Sequence, residues 1–173
     1  MSGVTRWLLL TMAVAAIAHL GSVWAAPYLL MRVATERLQM GGEVRVNTMQ
    51  QPDRVTEAAR AVVRPSPDLA YSICTFDLSQ GPLHLRAAAW DDYMSLSVFA
   101  ANSDVVFVRN DRQSAGAIEI TLALDGQRAP DGREVVISPS QTGIALVRRL
   151  APDQARFNAA TVAAAGDICA PAS

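Results

Sequence analysis

The sequence contains no lysine: every basic side chain other than two histidines is arginine. Rigid bidentate contacts would be one use of such a bias, but arginine-rich codon usage accounts for it without invoking a site. Nor is there an excess of either charge, the formal net charge being −1. A surface that coats nucleic acid needs a concentrated basic stripe, so no nucleic-acid partner is expected. Only two cysteines occur, Cys74 and Cys169, with neither the spacing of a CxxC redox centre nor enough ligands for zinc. The sequence holds no nucleophile elbow, phosphate-binding loop or HExxH helix. No metal site, cofactor or catalytic residue is therefore assigned. A chain of 173 residues has room for one ordinary domain and a terminal extension.

What is present begins with an apolar run. Residues 7–26, WLLLTMAVAAIAHLGSVWAA, contain no charged side chain other than the titratable His19, and a helix of that length spans about 30 Å, the thickness of a bilayer core. Arg6 precedes the run and Trp7, Trp24 and Tyr28 lie where interfacial aromatics belong, which favours a cytoplasmic N-terminus with the remaining chain outside. Arg32 and Arg37 on the far side weaken that asymmetry. A cleaved signal peptide is the alternative, with Val23-Trp24-Ala25 before Ala26 as the processing site. The uncleaved anchor is preferred because the apolar run resumes after Pro27, where proline kinks or ends the helix near the interface. His19 has no relay partner in a lone span and reads as a neutral packed or lipid-facing side chain.

Residues 28–40 read as a helix leaving the bilayer, stopped by Gly41-Gly42. Residues 42–50 suggest a short strand through Val44 and Val46. Over residues 52–63 the spacing of Val55, Ala58, Ala59, Val62 and Val63 predicts an amphipathic helix with Pro52 in its first turn. After Pro67 the period changes to two. Strands are expected at 71–78, with Cys74, Phe76 and Leu78 on one face and Ile73 on the other, and at 82–89, 93–99, 105–109, 117–124, 134–138 and 143–150. The coverage of both faces marks residues 71–78 as a central strand, and the turn residues within 65–112 suggest an antiparallel meander. Residues 152–164 complete the expectation as a helix that packs on the sheet. Seven short strands at this spacing suit a mainly β fold, an antiparallel β-sandwich or curled sheet. The division expected is a transmembrane anchor at 1–27, a helical connector at 28–64 and a β-rich domain at 65–173.

A Cys74–Cys169 disulfide would fasten the C-terminal tail across the sheet and close a loop of about 95 residues, in keeping with an exported chain; two reduced, buried thiols are the alternative. Asp68, Asp77, Asp91, Asp92, Asp104 and Asp111 crowd the central stretch. Paired carboxylates can serve as acid and base or hold calcium, but nearly all of these stand at strand ends, where aspartate caps turns. His84 reads as a solvated or hydrogen-bonded side chain of a half-buried strand, out of demonstrable reach of Ser95 or Ser97 as a base.

The stretch PSPDLAYSICTFDLSQGPLHL, followed by WDDYMSLSVFAANSDVVFVRNDR, resembles the domain of unknown function 1254 family. That family carries an Asn-x-Asp-Thr-x-Tyr segment, an Asp-Leu-Ser step, a proline-led strand and a tyrosine-containing strand that ends in an asparagine turn. Pro67, Asp68, Tyr71, Asp77, Leu78, Ser79, Pro82, Tyr93 and Asn102 match this pattern, whereas Ser66 and Leu69 replace its asparagine and threonine. The resemblance implies a bacterial, exported, β-rich protein of the short membrane-attached form, seated in the inner membrane with its C-terminal domain in the periplasm. It also implies a partner of the domain of unknown function 1214 family. Asp68, Tyr71, Asp77, Tyr93 and Asn102 are the ligand or partner candidates. Two kinds of function follow: a non-catalytic envelope domain that associates with another protein, or a hydrolase or small-ligand-binding module whose site forms at a partner interface.

Overall fold

The computed structural model describes residues 2–40, 45–56, 65–130 and 132–172. The first element, α1, is one helix, Gly3–Met40, which continues through Pro27. Its large apolar side chains from Val4 to Trp24 are exposed, with none of the described residues covering them. Beyond Pro27 one face turns inward: Met31, Ala34, Thr35 and Leu38 are less exposed than their neighbours, with Ala34 buried. Their three- and four-residue spacing makes this the face that docks on the domain.

The expected helix stop at Gly41-Gly42 and residues 42–44 of the short strand expected at 42–50 lie outside the described residues; residues 46–48 form a turn, with Asn47 at a positive φ of 58°, and a bridge joins Gln50 to Ile73. Of the helix expected at 52–63, residues 52–56 carry no helical structure and 57–64 lie outside the described residues. Arg54 donates to the Pro152 carbonyl at 2.8 Å, which ties this extended segment to the domain.

Eight strands follow: β1 (Leu69–Asp77), β2 (Leu83–Ala87), β3 (Met94–Ala100), β4 (Val105–Asn110), β5 (Ile118–Leu124), β6 (Val135–Ser138), β7 (Thr142–Leu150) and β8 (Ile168–Pro171). A helix, α2 (Gln154–Ala164), separates the last two and is capped by Asp153, whose side chain accepts from the Arg156 N–H. The strands form two sheets, ordered β1-β7-β3-β4 and β6-β5-β2-β8, in which every pairing is antiparallel except β5 with β6. The result is a mixed α/β fold with two mostly antiparallel sheets, an apolar N-terminal helix and a C-terminal helix.

The expected meander does not form. Among β1 to β4 only β3 and β4 pair with each other, while β1 and β2 belong to different sheets. The physical reason lies in the apolar alternation. Cys74, Phe76 and Leu78 share one cluster with Leu83, Leu85 and Ala87, so these consecutive segments present their apolar faces to a common interior instead of lying side by side. Gly81, at φ 131°, supplies a backbone conformation that other residues rarely adopt in the intervening turn. The same cluster takes in Met94, Leu96 and Val98 from β3, Ile118, Ile120 and Leu122 from β5, and Ala145 and Val147 from β7. Each fully buried leucine or isoleucine there contributes about 1.5–3 kcal/mol relative to exposure.

β1 is likewise an edge strand, not a central one. Its outer rim is closed by residues 47–50, with Asn47 N–H bonded to the Thr75 carbonyl and Gln50 exchanging both backbone bonds with Ile73. That pairing satisfies edge groups that would otherwise be open to another chain.

Candidate functional site

The two sides of the paired sheets are closed differently. On one side β1 and β8 are the end strands, and a Cys74–Cys169 disulfide joins them across the sheets, with a Cα separation of 6.4 Å. Both cysteines fall at inward positions of their strands. On the other side the end strands are β4 and β6, linked by an ion pair from Arg109 Nη2 to Glu134 Oε2 at 2.7 Å with both side chains partly exposed. Around that link Val105, Val108, Val135 and Ile137 are exposed.

A buried ion pair sits beneath the disulfide side. Arg149 follows Ala145 and Val147 at the next inward positions of β7, and its guanidinium meets the Asp167 carboxylate, with Nη1 2.9 Å from Oδ2. Both side chains are almost fully buried. Asp167 also accepts from the Ser72 hydroxyl at 2.7 Å and the Ala88 N–H at 2.8 Å, and Arg149 Nη2 donates to the Ala88 carbonyl at 2.9 Å. These bonds serve the carboxylate and both terminal guanidinium nitrogens, as a buried charge pair needs, while Arg149 Nε is left without a hydrogen-bond partner among the described residues. The crevice beside it, about 10 Å³ and lined by Tyr71, Ser72 and Arg149 among others, has room for no more than a water molecule. The cluster is structural: it ties β7, the end of β2 and the approach to β8 into one corner.

A second contact latches α2 to the connection between β2 and β3. Arg156 lies over the Trp90 ring at 4.3 Å and pairs with both Asp91 carboxylate oxygens, at 2.8 and 3.0 Å. The hydrogen bond from Arg156 holds the Asp91 carboxyl below the usual carboxylate range. Trp90 Nε1 donates to the Leu150 carbonyl at 3.2 Å.

The sequence-derived candidates are distributed over separate turns. Tyr71 accepts the Ser66 N–H on its hydroxyl at 2.9 Å, and the Asp68 carbonyl accepts from Ala151 N–H at 2.8 Å, so this segment is a capped turn leading into β1. Asp77, at the other end of β1, accepts from the Ser79 N–H at 2.8 Å and Gln141 Nε2 at 3.1 Å; the first of these bonds lowers its pKa most. Tyr93 contacts Ser95 Oγ at 3.2 Å, and Asn102 donates to Asp104 at 2.6 Å within the β3–β4 turn. Asp111 accepts the Met94 N–H at 3.3 Å. Turn capping thus accounts for Asp77 and Asp104, while Asp111 bonds across to the start of β3, and among the described residues no three His, Cys, Asp or Glu side chains gather as metal ligands would. His84 is partly buried on β2 with Nε2 3.6 Å from Glu119, beyond hydrogen-bond reach and without another partner; desolvation, then the positive charge of Arg133, lowers its pKa.

A cavity of about 420 Å³ opens where the C-terminal part of α1 meets the ends of β1 and β7. Asp77 is the sequence-derived candidate that lines it. Arg149 and Asp167 escaped the sequence reading, although a charged residue at an inward strand position, two after Val147, is the signal that would have exposed Arg149.

Residues 46–171 match the family described as a protein of unknown function, DUF1254. The chain belongs to the DUF1254 family. The match takes in β1 through β8 and the turn that precedes β1, and so extends well past the stretch that carried the sequence resemblance. No curated protein matches the chain. Among solved structures, the VPA0106 protein of Vibrio parahaemolyticus is similar at 13% identity and a TM-score of 0.60, over 82% of this chain and 35% of that one. An uncharacterised protein of Burkholderia cenocepacia is similar at 14% identity and a TM-score of 0.46, over 64% of this chain and 33% of that one. The DUF1254 chain thus spans about a third of the length of the solved proteins it matches, and the first of these likenesses is one of fold.

Proposed function

We propose that this DUF1254 protein is a non-catalytic envelope domain, held at the inner membrane by residues 7–26 with its C-terminal domain in the periplasm, that associates with a partner of the domain of unknown function 1214 family. The observation that carries the reading is the asymmetry of closure. The β1–β8 side is stapled by a disulfide, whereas the β4–β6 side is joined by a partly exposed ion pair amid four exposed β-branched side chains. An end strand with unpaired backbone groups and apolar neighbours is what strand addition by a second chain uses. The similar VPA0106 protein accompanies the matching region with further chain, since the match covers 35% of it. The two sheets are read as a sandwich whose open side the partner completes.

The membrane part of the reading is supported by the exposure and length of α1, and the periplasmic part by the disulfide, which persists in oxidising compartments. Cross-linking in intact membranes, followed by affinity purification and mass spectrometry, tests the association. A stoichiometric DUF1214 partner is expected, and Val135→Lys with Ile137→Lys should abolish its recovery while leaving the Cys74–Cys169 bond intact. Recovery of no such partner, or undiminished recovery with the lysine variant, would overturn the proposal.

A further inference from the structure

The cavity of about 420 Å³ falls within the range of small-molecule sites. One wall is the stretch of α1 immediately beyond the proposed span, with Tyr28, Met31 and Thr35; the opposite wall is Val46, Phe76 and Ala101. Its lining mixes apolar side chains with Arg32, Glu36 and Asp77, which contribute charges of both signs. Arg32 and Glu36 pair at 2.9 Å while both remain exposed. Thr75 stands in the sheet wall with its buried Oγ1 lacking any hydrogen-bond partner.

Position decides what such a cavity meets. Tyr28 and Met31 lie two and five residues beyond Ala26, about 3 and 8 Å along the helix, which is within the head-group layer flanking a bilayer core. The Ser103 hydroxyl donates to the Pro27 carbonyl at 3.4 Å, so the β3–β4 turn lies against α1 at this same level. The Trp24 and Tyr28 rings lie 5.5 Å apart, tilted at 45°, on the helix just below, a level at which interfacial aromatics gather. An acyl chain can therefore pass from the bilayer into the cavity without traversing open water, and charges of both signs suit a zwitterionic head group.

We infer that this cavity holds a bilayer phospholipid, with an acyl chain against Met31, Val46, Phe76 and Ala101 and the head group near Arg32, Glu36 and Asp77. The inference rests on residues 7–26 spanning the membrane, as proposed above, and does not depend on the protein partner. A bound lipid would couple the orientation of the domain to the membrane surface, because its two walls belong to α1 and to the sheet.

The test uses the full chain in nanodiscs of phosphatidylethanolamine and phosphatidylglycerol, doped with phosphatidylethanolamine that carries a photoactivatable acyl chain. Labelled peptides are mapped by mass spectrometry. Adducts are expected on peptides containing Thr75 to Asp77 and Ala101 as well as on the span itself. Met31→Trp and Thr142→Trp, which fill the cavity from opposite walls, should each reduce the sheet adducts several-fold. Val162→Trp, on an exposed position of α2, should leave them unchanged, and retention of the Cys74–Cys169 bond on a nonreducing gel reports that each variant has folded. Adducts confined to residues 7–26 would overturn the lipid site and leave the membrane span standing. Sheet adducts that persist in both filled variants would also overturn it, and absence of adducts from residues 7–26 as well would overturn both readings.

Discussion

Removing Asp167 should be among the most damaging single changes in the domain. Asp167→Ala leaves the Arg149 guanidinium almost fully buried without its counter-charge and strips the Ser72 hydroxyl and the Ala88 N–H of their acceptor. Breaking a buried pair from one side costs about 3–5 kcal/mol, a large share of the 5–15 kcal/mol by which a typical domain is stable. With a urea dependence of about 2 kcal/mol per M, the midpoint should fall by roughly 2 M. The companion variant, Asp167→Ala with Arg149→Met, removes the stranded charge and fills its space with an apolar chain, so it should be the more stable of the two despite carrying one more substitution. A coupling on the order of 0.5–3 kcal/mol between the sites is expected. Urea titration of the full chain in detergent micelles, followed by circular dichroism under nonreducing conditions, measures both. A single variant within about 0.5 kcal/mol of the parent, the ordinary range for inert surface changes, would refute the account of this corner. So would a double variant whose losses merely add.

Gly143→Ala should destabilise by about 1–3 kcal/mol through overpacking, because an added Cβ would stand 2.5 Å from Phe76 Cζ and closer still to the Phe99 carbonyl. Thermal melting checks it, and Phe76→Leu in the same chain should recover only part of the loss, since the backbone contact persists. Replacing Cys74 and Cys169 with serine should cost about 2–4 kcal/mol and make the gel mobility insensitive to reductant. The lowered pKa of His84 means that the unfolded chain takes up its proton first as pH falls through about 6.5. Stability should therefore decline with acidification from that point down to the folded value, and His84→Gln should remove that part of the pH dependence in a series of urea titrations.

Much of the domain was legible because strand formation writes itself into neighbouring residues. Ile118, Ile120 and Leu122 alternate with their neighbours, and all three are buried in the shared core; the same holds for Leu83 with Leu85 and for Met94, Leu96 and Val98. Strand bounds over β1 to β7 followed from that alternation and from the turn residues between them. β8 was missed because Ile168–Pro171 has no polar residue against which an apolar alternation could show. At residues 52–56, the described part of the helix expected at 52–63, the chain is not helical, and Arg54 bonds to Pro152, about a hundred residues away in sequence, a contact that no local pattern announces.

The candidate site was less legible. Asp77 was singled out as a turn residue, and only the docking of α1 beside the end of β1 makes it part of a cavity wall. Asp68 and Tyr71 near the start of β1 and Tyr93 just before β3 lie at one end of their sheet, and Asp77 and Asn102 at the other, because β1 and β3 both run antiparallel to the β7 strand between them.

By itself, the sequence determined which residues face the core, which segment is long and apolar enough to span a bilayer, and, with only two cysteines, which pair could be bonded. Each of these depends on residue type at a fixed local spacing. Tertiary structure alone decided that β1 and β2 belong to different sheets, that Arg149 meets Asp167, and that β4 and β6 form the side left without a covalent staple. Those outcomes depend on which distant strands become neighbours, and a period of two is the same whichever neighbour a strand acquires.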